Sequence, residues 1–552
     1  MASMDTAPRT GEKIEALFDG EWMEVYWGHT DDGSPYGTEG WGQVDGGYLI
    51  DTHPAREIEA WRPLNAVSYG EPSGVYGHRR RQPIVVLGLG FGDEAKGSTV
   101  DYLSATVPDA AAVVRWSGGA NAAHNVRHGG RHHTFRQFGS GTFLGIPTYI
   151  SDGVVVNLEM LMEEATALEA QGVADPISLV TLHSNALVTT PIHIALNRAR
   201  EILRGSGRHG SCGLGIGETV VHSNAERSGL DYHDTVGNFT IEGKTAGGRG
   251  VLTLEMLAAV EGDSLEEIIT VLKHQENYAE LLIEQARLNV PELSAELDYG
   301  SLEHMAEELI AVAKSFEIVS SMEFDREILE TMDRGTVIFE GSQGLLLDEY
   351  WGFHPHTTWS NLVPLAIFEW LRDFGHQPYV LGLTRSFTTR HGAGPLPSAA
   401  HGALDESELP EDDNSWGRWQ GEFRNAPLDL PLLSYSKHIL LESGIDLDGI
   451  SVSHLDAFEG ENLAPVVTSY GGRKDPSQSW NFKSDGAELW ARTDSDVFLA
   501  ERVIGQGAEL KHYSAEELPL RIAEALGAPV VITADGPARL DRKIYIPSEE
   551  GN

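Results

Sequence analysis

The chain has 552 residues, with 83 Asp and Glu against 40 Lys and Arg, a formal net charge of −43, 41% hydrophobic residues and a single cysteine, Cys212. That apolar share is ample for a large buried core and excludes a mostly disordered chain, while one cysteine excludes intrachain disulfides and any multi-cysteine zinc or iron–sulfur site. A polyanion of this size repels nucleic-acid backbones and anionic lipid surfaces, so neither nucleic acid nor a membrane is an expected partner; its ten lysines fit either a high-salt cytoplasm or high-GC codon bias.

The opening Met1-Ala2-Ser3-Met4-Asp5 lacks the basic and apolar regions of a secretory signal, and no apolar run approaches the ~18–20 residues of a membrane span, so a cytoplasmic location is expected. Residues 1–68 read as a small all-β accessory domain. Apolar residues alternate in 14–18, 22–27 and 47–50, with turn signals at Asp19-Gly20 and Asp32-Gly33, which indicates short antiparallel strands. Trp22, Trp27, Trp41 and Trp61 are expected to form its core, with an aromatic ligand-binding face as the alternative. Residues 69–83 contain Gly, Pro and Ser with Arg79-Arg80-Arg81 and read as a linker. From 84 to 552 strands alternate with helices. Segments 84–87, 111–114, 336–339 and 529–532 are short apolar strands, and residues 252–330 are mainly helical, with Leu302, Met305, Ala306, Leu309, Ile310, Ala313 and Phe316 at helical spacing. This pattern predicts an α/β fold with a large, mainly parallel central sheet and surrounding helices. Residues 399–415 read as an acidic loop.

Directly after the first of those strands stands Gly88-Leu89-Gly90-Phe91-Gly92-Asp93-Glu94-Ala95-Lys96-Gly97-Ser98. Glycines let the backbone curl around an anion, a following helix aims N–H groups at it, and Lys96 adds a positive charge for a β- or γ-phosphate. The run is neither standard fingerprint: a P-loop needs Gly-Lys-Ser/Thr in that order, and the dinucleotide motif has another glycine spacing. A carboxylate in a phosphate cradle repels the ligand unless it holds Mg²⁺ or acts as a general base on a substrate beside the phosphates.

The loop resembles the Gly-Asp-Glu-Gly-Lys-Gly-Lys signature of adenylosuccinate synthetases, with Ala95 and Ser98 as departures. Gly118-Gly119-Ala120-Asn121-Ala122-Ala123-His124-Asn125 is similar to the family's Gly-Gly-His-Asn-Ala-Gly-His-Thr. Phe339-Glu340-Gly341-Ser342-Gln343-Gly344-Leu345-Leu346-Leu347-Asp348 is similar to Phe-Glu-Gly-Ala-Gln-Gly-Thr-Leu-Leu-Asp. Pro355-His356-Thr357-Thr358-Trp359-Ser360-Asn361 is similar to Pro-Tyr-Val-Thr-Ser-Ser-Asn, and Arg390-His391-Gly392-Ala393-Gly394-Pro395-Leu396-Pro397 to Arg-Val-Gly-Ala-Gly-Pro-Phe-Pro. The blocks keep the family's order across residues 83–545.

The resemblance implies a homodimeric ligase, dependent on Mg²⁺ and GTP, that joins L-aspartate to C6 of inosine monophosphate (IMP). A base removes the N1 proton of the 6-oxopurine, O6 attacks the γ-phosphate, and the amine displaces the 6-phosphoryl group. On matching positions, Asp93 is the base and a Mg²⁺ ligand, the Ala123 carbonyl a second metal contact, and His124 the donor toward O6 and the γ-phosphate. Lys96 is the phosphate cation, and Gly92, Glu94, Ala95, Gly97 and Ser98 cradle GTP. Asp456 reads guanine, His454 replaces the lysine that covers the base, and Gly536-Pro537 resembles the loop that closes the pocket. Asn121, Ser211, Cys212, Gln343 and Thr358 match contacts to the purine monophosphate, and Arg227 is the nearest candidate for the arginine lent across the dimer interface.

Two runs depart from the pattern. The family's Thr-Thr-Gly-Arg-Gly-Ile-Gly-Pro becomes Ser211-Cys212-Gly213-Leu214-Gly215-Ile216-Gly217-Glu218, with Leu214 for an arginine. The aspartate-binding Thr-Thr-Gly-Arg-Arg-Arg-Arg becomes Trp419-Gln420-Gly421-Glu422-Phe423-Arg424-Asn425, where Glu422 repels a carboxylate and Gln420, Arg424 and Arg418 remain as amino-acid contacts. Either the amine differs from aspartate, or the enzyme belongs to a divergent branch. A branch acting on dGMP is expected to replace the catalytic aspartate, so Asp93 argues for hypoxanthine. The rival from another class is a nucleotide-binding protein that no longer ligates and recruits a partner through its N-terminal domain.

Overall fold

The computed structural model describes residues 78–545 apart from 229–231, 237–238, 244–249, 261–264, 403, 405–408, 410–413, 415, 461 and 473–506, with backbone alone for the strands within 13–63 and the helix and strand residues within 225–243. The chain divides into two compact units, Met1–Gly70 with Ala366–Pro378, and Glu71–Leu365 with Tyr379–Asn552. In the first, strand Lys13–Phe18 pairs antiparallel with Glu21–His29 and with Ala60–Pro63, and Glu39–Gly42 pairs with Glu21–His29. Period-two alternation thus yields short antiparallel strands; the expected tryptophan core and linker residues 69–77 lie outside the described residues.

The second unit is built on ten strands: β1 (Ile84–Gly88), β2 (Ala110–Arg115), β3 (Thr148–Ile150), β4 (Val180–His183), β5 (Glu317–Val319), β6 (Thr336–Gly344), β7 (Tyr379–Arg385), β8 (Gly449–Ser453), β9 (Val530–Ala534) and β10 (Arg542–Ile544). Their order is β5-β4-β3-β2-β6-β1-β7-β8-β9-β10, parallel except for the antiparallel β9–β10 pair at one edge. Every residue of β1 and β7 is buried, which is why β1 reads as an unbroken apolar run: a strand covered on both faces has no polar side to alternate with.

Helices cover the sheet. Among them are α1 (Lys96–Thr106), α2 (Pro191–Arg204), α3 (Leu265–Asn289), α4 (Leu302–Ala313) and α5 (Ser321–Arg334). The Thr190 side chain caps α2 ahead of a first-turn proline, and Ser301 and Ser320 cap α4 and α5 by accepting from the N–H three residues on. The apolar stripes of α2, α3 and α4 share one core with β3 and β4, while α1 packs a second around β1, β2, β6 and β7. Phe316 continues the spacing of α4 but lies past its last turn, buried in the same core. Among the described residues no helix is long and apolar enough to cross a membrane.

All parallel strands end on the same side, so the loops that leave β1, β2, β6, β7, β8 and β9 converge where open α/β sheets bind ligands.

Candidate active site at the carboxyl ends of the strands

These loops line one cavity of about 390 Å³. The loop after β1 is organised from within by Glu94, whose carboxylate accepts from Gly90 N at 2.9 Å, Gly92 N at 2.8 Å and Lys96 Nζ at 2.7 Å. Glycine makes room for it: a Cβ on Gly88 would stand 2.2 Å from Glu94 Oε2. Asp93 and Ala95 both take the left-handed φ of 60° that side chains seldom adopt, a local strain held by the surrounding bonds. The result sorts neighbouring residues, with Asp93 on the cavity and the Glu94 carboxylate inside the loop. Helix α1 starts at Lys96, so the free N–H groups of its first turn stand where Ala95, Lys96, Gly97 and Ser98 line the cavity beside Gly92.

His391 Nε2 lies 2.9 Å from Asp93 Oδ2, and Arg385 Nε donates to the Asp93 carbonyl. Burial opposes ionisation of Asp93, yet the bond from His391 and the charges of His391, Arg385 and Lys96 hold its carboxyl well below the usual carboxylate range. A carboxylate that stays ionised at neutral pH follows. Opposite stands His124, with Nδ1 2.6 Å from Glu340 Oε1 and Nε2 3.0 Å from the Ser342 carbonyl. Glu340 is fully buried and also accepts from Ser140 N and Oγ. Burial is outweighed there by Arg115, His124 and Ser140, and its pKa falls to about 2, so an ionised carboxylate keeps a proton on Nδ1. Burial and Arg115 lower the pKa of His124 itself, so the ring is neutral at rest with its proton on Nδ1, and Nε2 lies against the Ser342 carbonyl. Gly97 permits this approach, since a Cβ there would stand 2.6 Å from His124 Cβ.

At the next part of the cavity His454, at φ 60°, is fixed by Ser386 Oγ donating to its carbonyl and by the edge of Phe387. Burial, Arg385 and Arg542 push its imidazole well below the ordinary value, so it presents an uncharged ring. Asp456 Oδ1 is buried without a hydrogen-bond partner, an acceptor left for a ligand's N–H groups, and Gly536 and Pro537 line the wall beside it. Asn121 Oδ1 and Gln343 Nε2 are likewise buried and unpartnered, next to Thr358. Ser211 Oγ is bonded to Asn197, and burial pushes the Cys212 thiol up, which keeps it neutral.

Three expected contacts stand away from the cavity. Glu94 is turned into its own loop. Arg418 forms an ion pair with Glu296, and Arg424 Nη2 donates to the carbonyls of Gly392 and Gly394 at 2.7 and 2.8 Å. Only Gln420 of the expected amino-acid contacts lines the cavity. Arg227 belongs to helix Ile216–Ser228, and its side chain lies outside the described residues. Glu340, Arg385, His391 and Arg542 carried no expectation from sequence, although Glu340 and His391 lie inside the motif blocks. Their partners His124, Asp93 and Ser98 are between 216 and 444 residues away, and no local spacing announces such pairs.

Among the described residues no three His, Cys, Asp or Glu side chains form a metal cage. The Asp93 carboxylate and the Ala123 residue nevertheless line the same cavity, and one carboxylate with a carbonyl suits Mg²⁺, which takes much of its shell from substrate phosphates.

Comparison with known proteins identifies the family. The family model for adenylosuccinate synthetase matches residues 85–541. The chain is 29% identical over 470 residues to the adenylosuccinate synthetase of Thioalkalivibrio sulfidiphilus, covering 82% of this chain and 96% of that one. It is 28% identical over 469 residues to that of Neisseria gonorrhoeae, covering 83% and 96%. The fold matches the fully ligated adenylosuccinate synthetase of Plasmodium falciparum with a TM-score of 0.60 at 20% identity, over 84% of this chain and 100% of that one. With a family match across most of its length and the loops of an anion-binding α/β sheet around one cavity, this chain belongs to the adenylosuccinate synthetase family and is an enzyme of the C–N ligase type.

Proposed function

We propose that the chain is a GTP- and Mg²⁺-dependent ligase of purine nucleotide metabolism that joins L-aspartate to C6 of IMP through a 6-phosphoryl intermediate. The observation that carries this reading is that one cavity is lined by both an ionised Asp93, held by His391, and a His124 held by the buried Glu340. With Oδ2 engaged by His391, Oδ1 of Asp93 is the atom that takes the N1 proton of a 6-oxopurine. O6 then forms a bond to the γ-phosphorus as GDP leaves, with His124, protonated once phosphate charge stands beside it, donating from Nε2 to the charge that develops there and Lys96 facing the phosphates. The amine attacks C6 and phosphate departs. Asp93 and the Ala123 carbonyl would hold Mg²⁺, whose charge would offset that of the phosphates. Asp456 accepts from guanine N1–H and N2–H together, a pattern adenine lacks, which favours GTP over ATP.

A homodimer in which Arg227 is lent across the interface, a cytoplasmic location, and an accessory domain at 1–68 joined through 69–83 to a ligase body at 84–552 belong to the same proposal. One observation favours a second reading of the amine: Arg418 and Arg424 are both engaged elsewhere, so two carboxylates of aspartate meet fewer cations than the family motif supplies. An assay of purified protein with IMP or dGMP, GTP or ATP, and a panel of amino acids tests both. An aspartate adduct of IMP with GTP supports the first reading, an adduct with another amine the second. Phosphate release without a purine adduct in every combination defeats both.

A further inference from the structure

The phosphate loop ends in Ser98 where the family signature ends in lysine, so the first turn of α1 carries one cation fewer than the motif supplies. A guanidinium from another element occupies that ground. Arg542, the first residue of β10, donates from Nη2 to Ser98 Oγ and from Nη1 to the Ala538 carbonyl at 2.9 Å. It is only 6% exposed and lines the cavity, and its Nε is buried without a hydrogen-bond partner.

The charges of Asp101 and Asp541 reach it, but neither carboxylate bonds to it. Asp101 accepts two bonds from Arg539, at 2.7 and 2.5 Å, and Asp541 accepts from Ala538 N at 2.7 Å. Among the described residues no carboxylate forms an ion pair with Arg542, and the other cation of this corner, Lys96, is matched by Glu94. A charged guanidinium out of water beside the positive end of an eleven-residue helix is doubly unfavourable until an anion arrives. Burial lowers its pKa to about 10, which still leaves it charged at neutral pH. Its charge also bears on His454, which lines the same cavity.

We propose that Arg542 is the second phosphate cation of the donor-nucleotide subsite, binding the phosphate chain of a nucleoside triphosphate over the first turn of α1 in place of the lysine absent at Ser98. The charge has moved from the loop to the edge strand. Because Nη1 of the same side chain holds the Ala538 carbonyl, phosphate binding is tied to the Gly536-Pro537 loop. The identity of the nucleotide rests on the ligase reading; the role of the cation requires only a phosphate chain.

Calorimetric titration of the full-length protein with GMP, GDP and GTP in the presence of Mg²⁺ tests this. Arg542→Ala is expected to weaken GDP and GTP binding about ten- to a hundredfold and GMP binding by less than about twofold, since a charge-assisted bond is lost only where the outer phosphates lie. Ser98→Lys combined with Arg542→Ala returns the cation to the loop and is expected to restore GTP affinity to within about fivefold of wild type. Arg542→Lys, which keeps a point charge, is expected to fall between the two and carries the comparison if the alanine variant does not fold. A role confined to anchoring Ala538 predicts equal losses for all three nucleotides and no rescue from position 98; that result, or unchanged GTP affinity in folded Arg542→Ala, overturns the proposal. Wild-type protein that binds no purine nucleoside triphosphate overturns it together with the ligase reading, whereas wild type that binds GTP yet forms no purine adduct removes the ligase reading alone.

Discussion

The two sides of the cavity use charge differently. At the ends of β1 and β6 polar groups pair with one another: Glu94 with Lys96 and His124 with Glu340 out of water, and Asp93 with the half-open His391. On the side of the 390–424 segment the guanidinium groups hold main-chain carbonyls instead, Arg390 those of Pro395 and His356, Arg424 those of Gly392 and Gly394. A buried pair of opposite charges fixes reacting atoms to within a few tenths of an ångström, because breaking it strands a charge. A guanidinium on backbone carbonyls stiffens a loop without dictating which ligand enters beside it. The family motifs continue onto the second side at 390–397 and break at 419–425. Departure from the family's pattern is therefore concentrated in one run of that side.

Removing the proposed base is the most severe way to break the first side. Asp93→Asn is expected to lower turnover by about 10²–10⁴-fold, with an unchanged circular dichroism spectrum, as measured by steady-state assay. Retained activity would show that the ionised pair is not the reaction centre and would erase the contrast. Glu340→Ala strikes the same side through stability. It strands His124 and removes the acceptor of two Ser140 bonds and the counter-charge to Arg115, so urea unfolding should report a loss of about 3–5 kcal/mol. A loss below about 1 kcal/mol would mean that this side is no more tightly built than the other. Gly97→Ala comes next. The new Cβ collides with His124 Cβ and the flanking backbone, so a loss of about 1–3 kcal/mol is expected, together with a fall in kcat that exceeds any change in KM for the nucleotide.

Much of the first side was legible in the sequence because its signals are local. The apolar segments 84–87, 111–114, 336–339 and 529–532 fall in β1, β2, β6 and β9, and the glycine-rich run after β1 is the loop that lines the cavity. Strands β3 and β4 carried no such signal, being three and four residues long with polar residues inside. They are buried by the helices stacked on them, a tertiary cause that no window of sequence contains. The fate of Glu94 was equally hidden. Its place beside Asp93 argues for a shared task, and only the left-handed turns at Asp93 and Ala95 send the two carboxylates in opposite directions. Arg418 and Arg424 read as ligand contacts from their motif, but their partners, Glu296 and the Gly392 and Gly394 carbonyls, come from remote positions.

His391 is where the contrast is sharpest, since it stands on a loop of the variable side, replaces the valine of the family motif, and reaches the reacting carboxylate. The pair gives a modest but directional effect on stability. Asp93 is held below its ordinary 3.8, so its contribution is present above about pH 4 and is lost as pH falls through the depressed folded value. For His391 burial alone would lower the pKa, but the bond and charge of Asp93 raise it above its ordinary 6.5; its contribution is full below that value and is lost as pH rises through the raised one. Stabilisation by the pair is therefore greatest between about pH 4 and 6.5 and declines above that window. Thermal unfolding of wild type and His391→Val across about pH 6 to 9 should show a wild-type advantage of about 0.5–1 kcal/mol that shrinks with rising pH, both groups being one-fifth exposed and partly screened. Parallel curves would mean that the valine-to-histidine change leaves Asp93 as it was, and that the variable side stops short of the reaction centre. Converging curves would mean that one substitution on the permissive side resets the base itself.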